Sequence, residues 1–242
     1  MFENLTSTKK LNQWIIDSLA ECKASYPLPP GENNIAVDIG ANVGGFCLHA
    51  CKHFKKIYAF EPLVENFLIL EEVLNHYNIQ NVEVYNTAIY SESNKILPLK
   101  IFAENHSKDV TCAQFDSDKL IGTNKTCETI SLKDMFEALD LDHVDYLKLD
   151  CEGSEYEILE NFDDYNKISF ICMEIHTFFG DQRKLDLLKK LKQYYHFLSL
   201  EENGIFSLNQ LLNKTNQNIS HYTNKSNVFF INKNLTKDAN VT

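Results

Sequence analysis

Polar side chains spaced two residues apart occur at the ends of two apolar segments, residues 144–149 and 168–175. They are Lys148, Asp150 and Glu152 at the first segment and Glu174 and His176 at the second. Side chains with this spacing share one face of a strand. If the two segments are neighbouring strands, these groups converge at one edge of a sheet, where crowded titratable groups are suited to removing a proton from a hydroxyl. In the alternative interpretation, Lys148 pairs with a carboxylate and the acids are only hydrated.

A second pattern joins an apolar segment to a turn of small residues and then to a helix. The residues with a candidate binding role are Asp38, Gly40, Ala41, Asn42 and Gly44. A strand, glycine turn and helix in this order direct helix N–H groups toward a nucleotide-type ligand. The dinucleotide fingerprint has glycine where this chain has Asp38 and Val43. Because a carboxylate repels a pyrophosphate but attracts a sulfonium or ammonium group, the turn indicates S-adenosylmethionine (SAM) rather than NAD.

A further acid, Glu61, ends the next apolar segment and is followed by Pro62. An acid about 20 residues beyond a glycine turn, at the end of the following strand, is placed to accept hydrogen bonds from both ribose hydroxyls. Pro62 ends the strand because it has no N–H group. Thr87 and Ala88, after the third apolar segment, complete the candidate cofactor-binding set. The alternative for Glu61 is a hydrated carboxylate at the end of a strand.

The composition limits the class of ligand. The net charge is −11 and Arg183 is the only arginine, which argues against a nucleic-acid partner because arginine is the preferred residue for phosphate recognition. No apolar run reaches the length of a membrane span, and the first residues lack a signal-peptide pattern. We therefore expect a cytoplasmic protein with a small-molecule or glycan acceptor, no nucleic-acid partner and no membrane span. Homodimer formation stays open.

The seven cysteines, an odd number without regular spacing, are typical of reduced thiols. Cys47, His49, Cys51 and His53 resemble a set of metal ligands, but helical spacing puts the two cysteines on one face and the histidines away from them. We expect core packing for the cysteines and solvent exposure for the histidines, with no metal bound by this group.

Segments with strand character alternate with segments of helical periodicity along most of the chain. This alternation predicts an α/β fold, a doubly wound and mostly parallel sheet with helices on both faces and ligands at the carboxyl ends of the strands. We expect one domain over residues 1–242. Its parts are a helical extension (1–33), a core (34–177) with a β-hairpin insertion near 91–130, and a C-terminal part (178–242) with a helix from about Asp181 to Tyr195 and the last strands.

Together these motifs resemble the FkbM-type class I SAM-dependent methyltransferases. The similarity lies in residues 37–44 (VDIGANVG), 59–62 (AFEP), 147–155 (LKLDCEGSE) and 174–176 (EIH). The first motif marks the superfamily, and the pattern K-x-D-x-E-G-x-E marks the family. The resemblance implies a Rossmann-like, seven-stranded sheet whose last strand is antiparallel, and methylation that is usually of a hydroxyl on a sugar or secondary metabolite. Residues 131–134 (SLKD) depart from the common Thr-Leu-Asp-Asp/Glu of the family.

The expected mechanism assigns His176 as the general base, because an unperturbed imidazole titrates near neutral pH. Asp150 and Glu152 would orient the acceptor or the cofactor, and Glu174 and Lys148 complete the candidate catalytic set. A divalent cation held by Asp150, Glu152 and Glu174 is the alternative, since it would lower the pKa of the hydroxyl. Two other classes stay open: a SAM-binding module without catalysis and an NAD-dependent oxidoreductase.

Overall fold

The computed structural model describes residues 8–30, 33–102, 110–112, 120–176, 181–198 and 227–236. Its α-helices are α1 (Thr8–Ser25), α2 (Gly45–Ala50), α3 (Val64–His76), α4 (Leu132–Ala138), α5 (Glu155–Glu160) and α6 (Asp181–Leu191). Its strands are β1 (Asn33–Ile39), β2 (Phe54–Phe60), β3 (Val82–Tyr85), β4 (Ala88–Tyr90), β5 (Ile96–Phe102), β6 (Val110–Thr111), β7 (Leu120–Ser131), β8 (Val144–Leu149), β9 (Ile168–Glu174), β10 (Tyr195–Leu198) and β11 (Asn227–Asn232).

Seven strands form one sheet with the order β10-β11-β9-β8-β1-β2-β3. The pairs among β9, β8, β1, β2 and β3 are parallel, whereas β11 runs antiparallel to both β9 and β10. The predicted fold class is confirmed, including the antiparallel last strand. Because β9, β8, β1 and β2 are parallel neighbours, their carboxyl ends lie along one edge of the sheet, where open α/β sheets bind ligands.

Helices cover both faces of this sheet. Val37 and Leu147 belong to an apolar cluster that includes side chains of α4, α5 and α6. Their neighbours Ala36 and Tyr146 belong to a second cluster with side chains of α1, α2 and α3. Successive residues of a strand point to opposite faces, so a strand covered on both sides is apolar at nearly every position. This arrangement explains the unbroken apolar segments of the sequence.

A smaller, four-stranded sheet with the order β4-β7-β5-β6 occupies the region where the sequence suggests a hairpin. The antiparallel partners β5 and β7 form the two arms of that hairpin. β4 extends it by pairing parallel with β7, and β6 extends it by pairing antiparallel with β5. The insertion is therefore larger than a two-stranded hairpin.

The C-terminal helix is shorter than its sequence pattern suggests. Helix α6 ends at Leu191, and Tyr195, predicted as its last residue, begins strand β10 instead. Tyr195 and Phe197 are fully buried, and the Tyr195 hydroxyl donates to the carbonyl groups of Tyr165 and Ile168. The packing of these two aromatic residues explains why four residues form a strand that local periodicity did not indicate.

Helix α1 packs against the beginning of α2. A Cβ atom at Gly45 would lie only 2.6 Å from the backbone oxygen of Ser18, so the approach of the two helices requires glycine at this position. Within the described ranges, no helix combines the length and apolar character needed to cross a lipid bilayer.

The two histidines of α2 and the following turn are not the solvent-facing residues that the sequence suggests. His49 Nε2 lies 3.1 Å from the Tyr26 carbonyl oxygen, and His53 Nε2 lies 2.6 Å from the Pro29 carbonyl oxygen. Both rings are partly buried against the segment that follows α1, and they help to hold this segment on the sheet.

Candidate active site

A cavity of about 310 Å³ opens at the carboxyl edge of the sheet, a volume typical of small-molecule sites. Most of the predicted site residues line it. They are Gly40, Ala41, Asn42, Glu61, Pro62, Thr87, Ala88, Lys148, Asp150, Glu152, Glu174 and His176. Asp38 and Gly44 are not among the lining residues. The structure therefore brings the two groups of motifs, which are about a hundred residues apart in sequence, to one cavity.

The glycine turn is held between β2 and β8. The N–H groups of Gly40 and Ala41 both donate to the Phe60 carbonyl oxygen at 3.0 Å. Gly40 has a φ of 79°, and a Cβ atom there would lie 1.8 Å from the Asp150 carbonyl oxygen. Only glycine combines this backbone conformation with so close an approach. The turn is thus packed tightly against the loop that follows β8.

Glu61 is 2% exposed and lies at the end of β2. One of its carboxylate oxygens accepts from the Asn42 N–H at 2.8 Å, and the other accepts from the Leu63 N–H at 2.9 Å and from the Asn66 side chain at 3.4 Å. Burial raises the pKa of Glu61 to about 7, although these hydrogen bonds oppose the shift. The carboxylate is thus fixed beside the glycine turn.

The sequence predicts that Asp38 faces the ligand, but in the structure its side chain does not line the cavity. Its side chain is fully buried, with one oxygen 3.0 Å from Lys148 Nζ and the other accepting from the Cys47 thiol at 3.5 Å. Lys148 also donates to the Gly40 carbonyl oxygen at 2.9 Å. Burial opposes the ammonium charge, but the Asp38 and Asp150 carboxylates outweigh it and raise the pKa of Lys148. Lys148 is therefore a fixed cation, and it does not fit the role of a base.

Asp150 follows β8 and is held by Tyr26, the residue directly after helix α1. The Tyr26 hydroxyl donates to Asp150 Oδ2 at 2.8 Å, and Lys148 Nζ lies 3.9 Å from the same oxygen. Burial and the Asp150 carboxylate raise the pKa of Tyr26 well above its ordinary value, so the phenol remains a donor. Helix α1 and the residue after it contribute a wall of the cavity. Its lining residues are Ser18, Glu21, Cys22 and Tyr26.

The turn after Asp150 brings Glu152 to the cavity in an uncommon conformation. Glu152 has a φ of 55°, in the left-handed region that residues other than glycine seldom adopt. Glu155, which is fully buried, stabilises this turn by accepting from the N–H groups of Cys151 at 3.1 Å and Gly153 at 3.3 Å. Residues held in such conformations concentrate at functional sites.

His176 lies among carboxylates. Its Nδ1 is 3.0 Å from Glu155 Oε1, and its Nε2 is 3.2 Å from Glu152 and 4.0 Å from Glu174. Burial disfavours the charged ring, but Glu155, Glu152 and Asp150 outweigh it and raise the pKa of His176 to about 10. Both ring nitrogens face carboxylate oxygens, so the ring is held as an imidazolium. This differs from the predicted imidazole that titrates near neutral pH.

A candidate set of metal ligands differs in one member from the set suggested by the sequence. Ligand atoms of Asp150, Glu174 and His176 all lie within 4.8 Å of one another, and Glu152 does not belong to this group. Two carboxylates and one imidazole suit a divalent cation that accepts both oxygen and nitrogen ligands.

The glycine-turn end of the cavity fits the adenosine part of SAM. It combines the backbone of Gly40, which lines the cavity, with the buried acceptor Glu61, and the buried Asn42 Oδ1 has no hydrogen-bond partner among the described residues. A donor on a ligand would satisfy that oxygen, because buried polar atoms are rarely left unpaired.

The chain is similar to a known protein family over most of its length. The methyltransferase FkbM domain matches residues 38–205. The chain therefore belongs to the FkbM methyltransferase family, as its motifs predict. The matched range includes the glycine turn, Glu61 and the whole cluster around His176, whereas helix α1 lies outside it.

Two curated relatives show similarity to part of the chain. Hexuronic acid methyltransferase AglP of Haloferax volcanii is 25% identical over 173 residues, which cover 66% of this chain and 64% of the relative, less than two thirds of its length. Methyltransferase 1 of Beauveria bassiana is 22% identical over 180 residues, covering 66% of this chain and 71% of the relative. The crystal structure of a methyltransferase FkbM from Methylobacillus flagellatus aligns with a TM-score of 0.48 and 13% identity, over 95% of this chain and 60% of that chain.

The sequence suggests Tyr26 only as part of an N-terminal lid together with Trp14, and it gives Glu155 no role of its own. Tyr26 lies just after a predicted helix, and nothing in its local pattern indicates a contact with Asp150, which is 124 residues away. Glu155 belongs to the family motif quoted above, and its place in that motif is the signal that could have assigned it to the same cluster.

Proposed function

We propose that the chain is a SAM-dependent O-methyltransferase whose acceptor is a hydroxyl group of a sugar, a glycan or another small molecule. The observation that carries this proposal is the convergence of Asp150, Glu152, Glu174 and His176 on the cavity that also contains the glycine turn. A module that only binds SAM has no need of such a cluster of titratable groups. An NAD-dependent oxidoreductase is disfavoured because the turn lacks the glycines that a pyrophosphate needs.

In this proposal, Glu61 accepts hydrogen bonds from the ribose hydroxyls, and Pro62, Thr87 and Ala88 form the wall beside the adenine. Asp150 takes the role first assigned to Asp38 and faces the cationic end of the cofactor. SAM supplies an activated methyl group when it is bound. The residues of the chain therefore have to align the acceptor oxygen, exclude water and accept one proton.

The proton of the hydroxyl passes to Glu174 in the mechanism that we favour. Glu174 lines the cavity, and burial together with the Asp150 charge raises the pKa of its carboxyl group, which makes it a better proton acceptor. His176 has both nitrogens directed at carboxylates, and as an imidazolium it offsets their charge. The sequence-based assignment of His176 as the base is the competing mechanism.

A divalent cation at Asp150, Glu174 and His176 is a second candidate mechanism, favoured by the spacing of their ligand atoms. Such a cation would lower the pKa of a bound hydroxyl without a protein base. It would have to displace the proton shared between His176 and its carboxylate neighbours, which makes cation binding compete with protons.

Calorimetry with S-adenosylhomocysteine (SAH) and NAD tests the cofactor class, and methyl transfer from labelled SAM to a panel of acceptors tests the activity. The panel includes hexuronic acids, because the relative AglP is described as a hexuronic acid methyltransferase. It also includes neutral sugars, because the carboxylates lining the cavity would repel an anionic acceptor. Binding of NAD in place of SAH would contradict the proposal, and SAH binding without transfer to any acceptor would favour the non-catalytic module.

Variants of the cluster separate the mechanisms. If Glu174 accepts the proton, Glu174→Gln should lower turnover by roughly 10²–10⁴-fold, the usual contribution of a general base. SAH affinity should stay near that of the unmodified protein, and His176→Asn should have a smaller effect. If His176 is the base, the order of the two variants is reversed. If a cation is required, EDTA abolishes activity and Mg²⁺ or Mn²⁺ restores it. Glu137→Gln, an exposed carboxylate on α4, is the matched control.

A further inference from the structure

Helix α1 lies outside the residues matched by the FkbM family, yet it reaches the cavity. It packs so closely on α2 that Gly45 has no room for a side chain beside Ser18. Residues on α1 and directly after it line the same cavity as Glu61 and Asp150. A segment outside the matched domain therefore contributes directly to the site.

The contact between this segment and the family motif is made by Tyr26. Its side chain is 1% exposed, and its hydroxyl donates to Asp150 Oδ2 at 2.8 Å. Lys148 Nζ lies 5.2 Å from the centre of the Tyr26 ring, and the edge of that ring meets Phe46 with 6.1 Å between centroids. These packing contacts fix the ring, so the hydroxyl reaches Asp150 from a rigid support.

The contacts made by Tyr26 and Lys148 both involve the same oxygen of Asp150. This arrangement leaves Oδ1 as the oxygen that can serve a ligand, and it prevents rotation of the carboxylate. A charged acceptor held in advance binds a cationic group more tightly, because less side-chain freedom is lost on binding. Without the Tyr26 hydroxyl, only Lys148 at 3.9 Å would restrain that oxygen.

We propose that Tyr26 is a positioning residue that fixes the Asp150 carboxylate for the ammonium group at the amino-acid end of the cofactor, and that helix α1 is thereby a functional wall of the cofactor site. This inference rests on the proposed function. It extends the site beyond the family domain to residues at the N-terminal side of the chain.

The test compares two ligands that differ only at the end that Asp150 would hold. SAH carries the amino-acid group, whereas 5′-methylthioadenosine has a methyl group in its place. Affinities of both ligands are measured by calorimetry for the full chain and for Tyr26→Phe, Asp150→Asn and the double variant. Tyr146→Phe is the matched control, because the buried Tyr146 hydroxyl donates to the Pro27 carbonyl oxygen at 3.1 Å and Tyr146 does not line the cavity.

We expect Tyr26→Phe to weaken SAH binding about tenfold, since a hydrogen bond to a charged group contributes on that order. Binding of 5′-methylthioadenosine should change less than about twofold. In the double variant, Tyr26→Phe should add little to the loss caused by Asp150→Asn, because the two residues act through one contact. Tyr146→Phe should leave both affinities unchanged.

Two results would overturn the inference while leaving the proposed function standing. One is SAH binding by Tyr26→Phe that equals that of the unmodified protein. The other is an equal loss for both ligands that Tyr146→Phe reproduces, because it would show that α1 has only a structural role. If the unmodified protein binds neither ligand, the proposed function fails, and this inference fails with it.

Discussion

Lys148 is the residue through which the glycine turn and the acidic cluster are connected. Its ammonium group reaches the Gly40 carbonyl oxygen, the Asp38 carboxylate and the neighbourhood of Asp150 while the side chain stays 2% exposed. Removing one partner from a buried ion pair typically costs about 3–5 kcal/mol, because the other charge is left uncompensated. Lys148, the lysine of the family motif, therefore maintains the geometry of the cavity and does not serve as a reactive group.

If Glu61 accepts from the ribose hydroxyls as we propose, SAH binding should depend on pH. The ionised carboxylate is the stronger acceptor for those hydroxyls, and burial raises the pKa of Glu61 to about 7. Below that pH, a proton on Glu61 competes with the ligand. We therefore expect SAH affinity, measured by calorimetry, to increase as the pH rises from 6 to 8 and then to level off. Below the pKa of Glu61, the increase is up to about tenfold per pH unit.

The variant Glu61→Gln should bind SAH at least about tenfold more weakly at pH 8, because hydrogen bonds to a charged acceptor are lost. Its affinity should also be nearly independent of pH in this range. Glu83→Gln, which changes an exposed carboxylate on β3, is the control and should retain the dependence. A pH profile that survives in Glu61→Gln would assign the titration to another group.

At the scale of secondary structure, the turn between β1 and α2 depends on its contact with β8. The Asp150 N–H donates to the Ile39 carbonyl oxygen at 3.1 Å, and Gly40 lies directly against the Asp150 carbonyl. The loop that contains the glycine turn and the loop that contains Asp150 and Glu152 are thus packed backbone to backbone. A change in one loop therefore displaces the other.

Gly40→Ala should accordingly disturb both loops. The new Cβ atom would lie 1.8 Å from a backbone oxygen, and the φ of 79° is unfavourable for alanine. We expect a loss of roughly 2–4 kcal/mol in the free energy of unfolding, measured by denaturant titration, together with loss of SAH binding. Gly122→Ala, where no atom lies within 4 Å of the added Cβ, should change stability by less than about 0.5 kcal/mol. Equal stabilities of the two variants would contradict the close packing of the loops.

At the scale of the whole molecule, local sequence patterns predicted the parallel sheet and about half of the residues that line its cavity. Glycine turns, strand ends and period-two polar residues carry that information within a few residues. Contacts between residues that are distant in sequence form only in the assembled fold, and short sequence patterns do not predict them. The Asp38 side chain is buried because it pairs with Lys148 on the neighbouring strand. Tyr26 belongs to the site because it contacts Asp150, which is 124 residues away in sequence.

Ligand binding should stabilise the whole domain if the cavity is the cofactor site. At about 100 times its dissociation constant, a ligand that binds only the folded state adds about 2.7 kcal/mol. For a chain of this size, that corresponds to a rise in Tm of roughly 5–10 °C. We expect this shift in a thermal melt with SAH and none with NAD at equal concentration. A shift with NAD alone would indicate the oxidoreductase class.

The contacts of the segment after helix α1 also determine when that segment can reach its final position as the chain folds. Ser25, Tyr26 and Pro27 are bonded to Cys172, Asp150 and Tyr146, whose sequence separations are 147, 124 and 119 residues. Contacts between residues so distant in sequence form late, because the loop between them has to close first. During synthesis, this segment leaves the ribosome well before the strands on which it rests. The segment after helix α1 therefore lacks these three partners until β8 and β9 have joined the sheet, and the cavity is completed by residues that were synthesised before those strands.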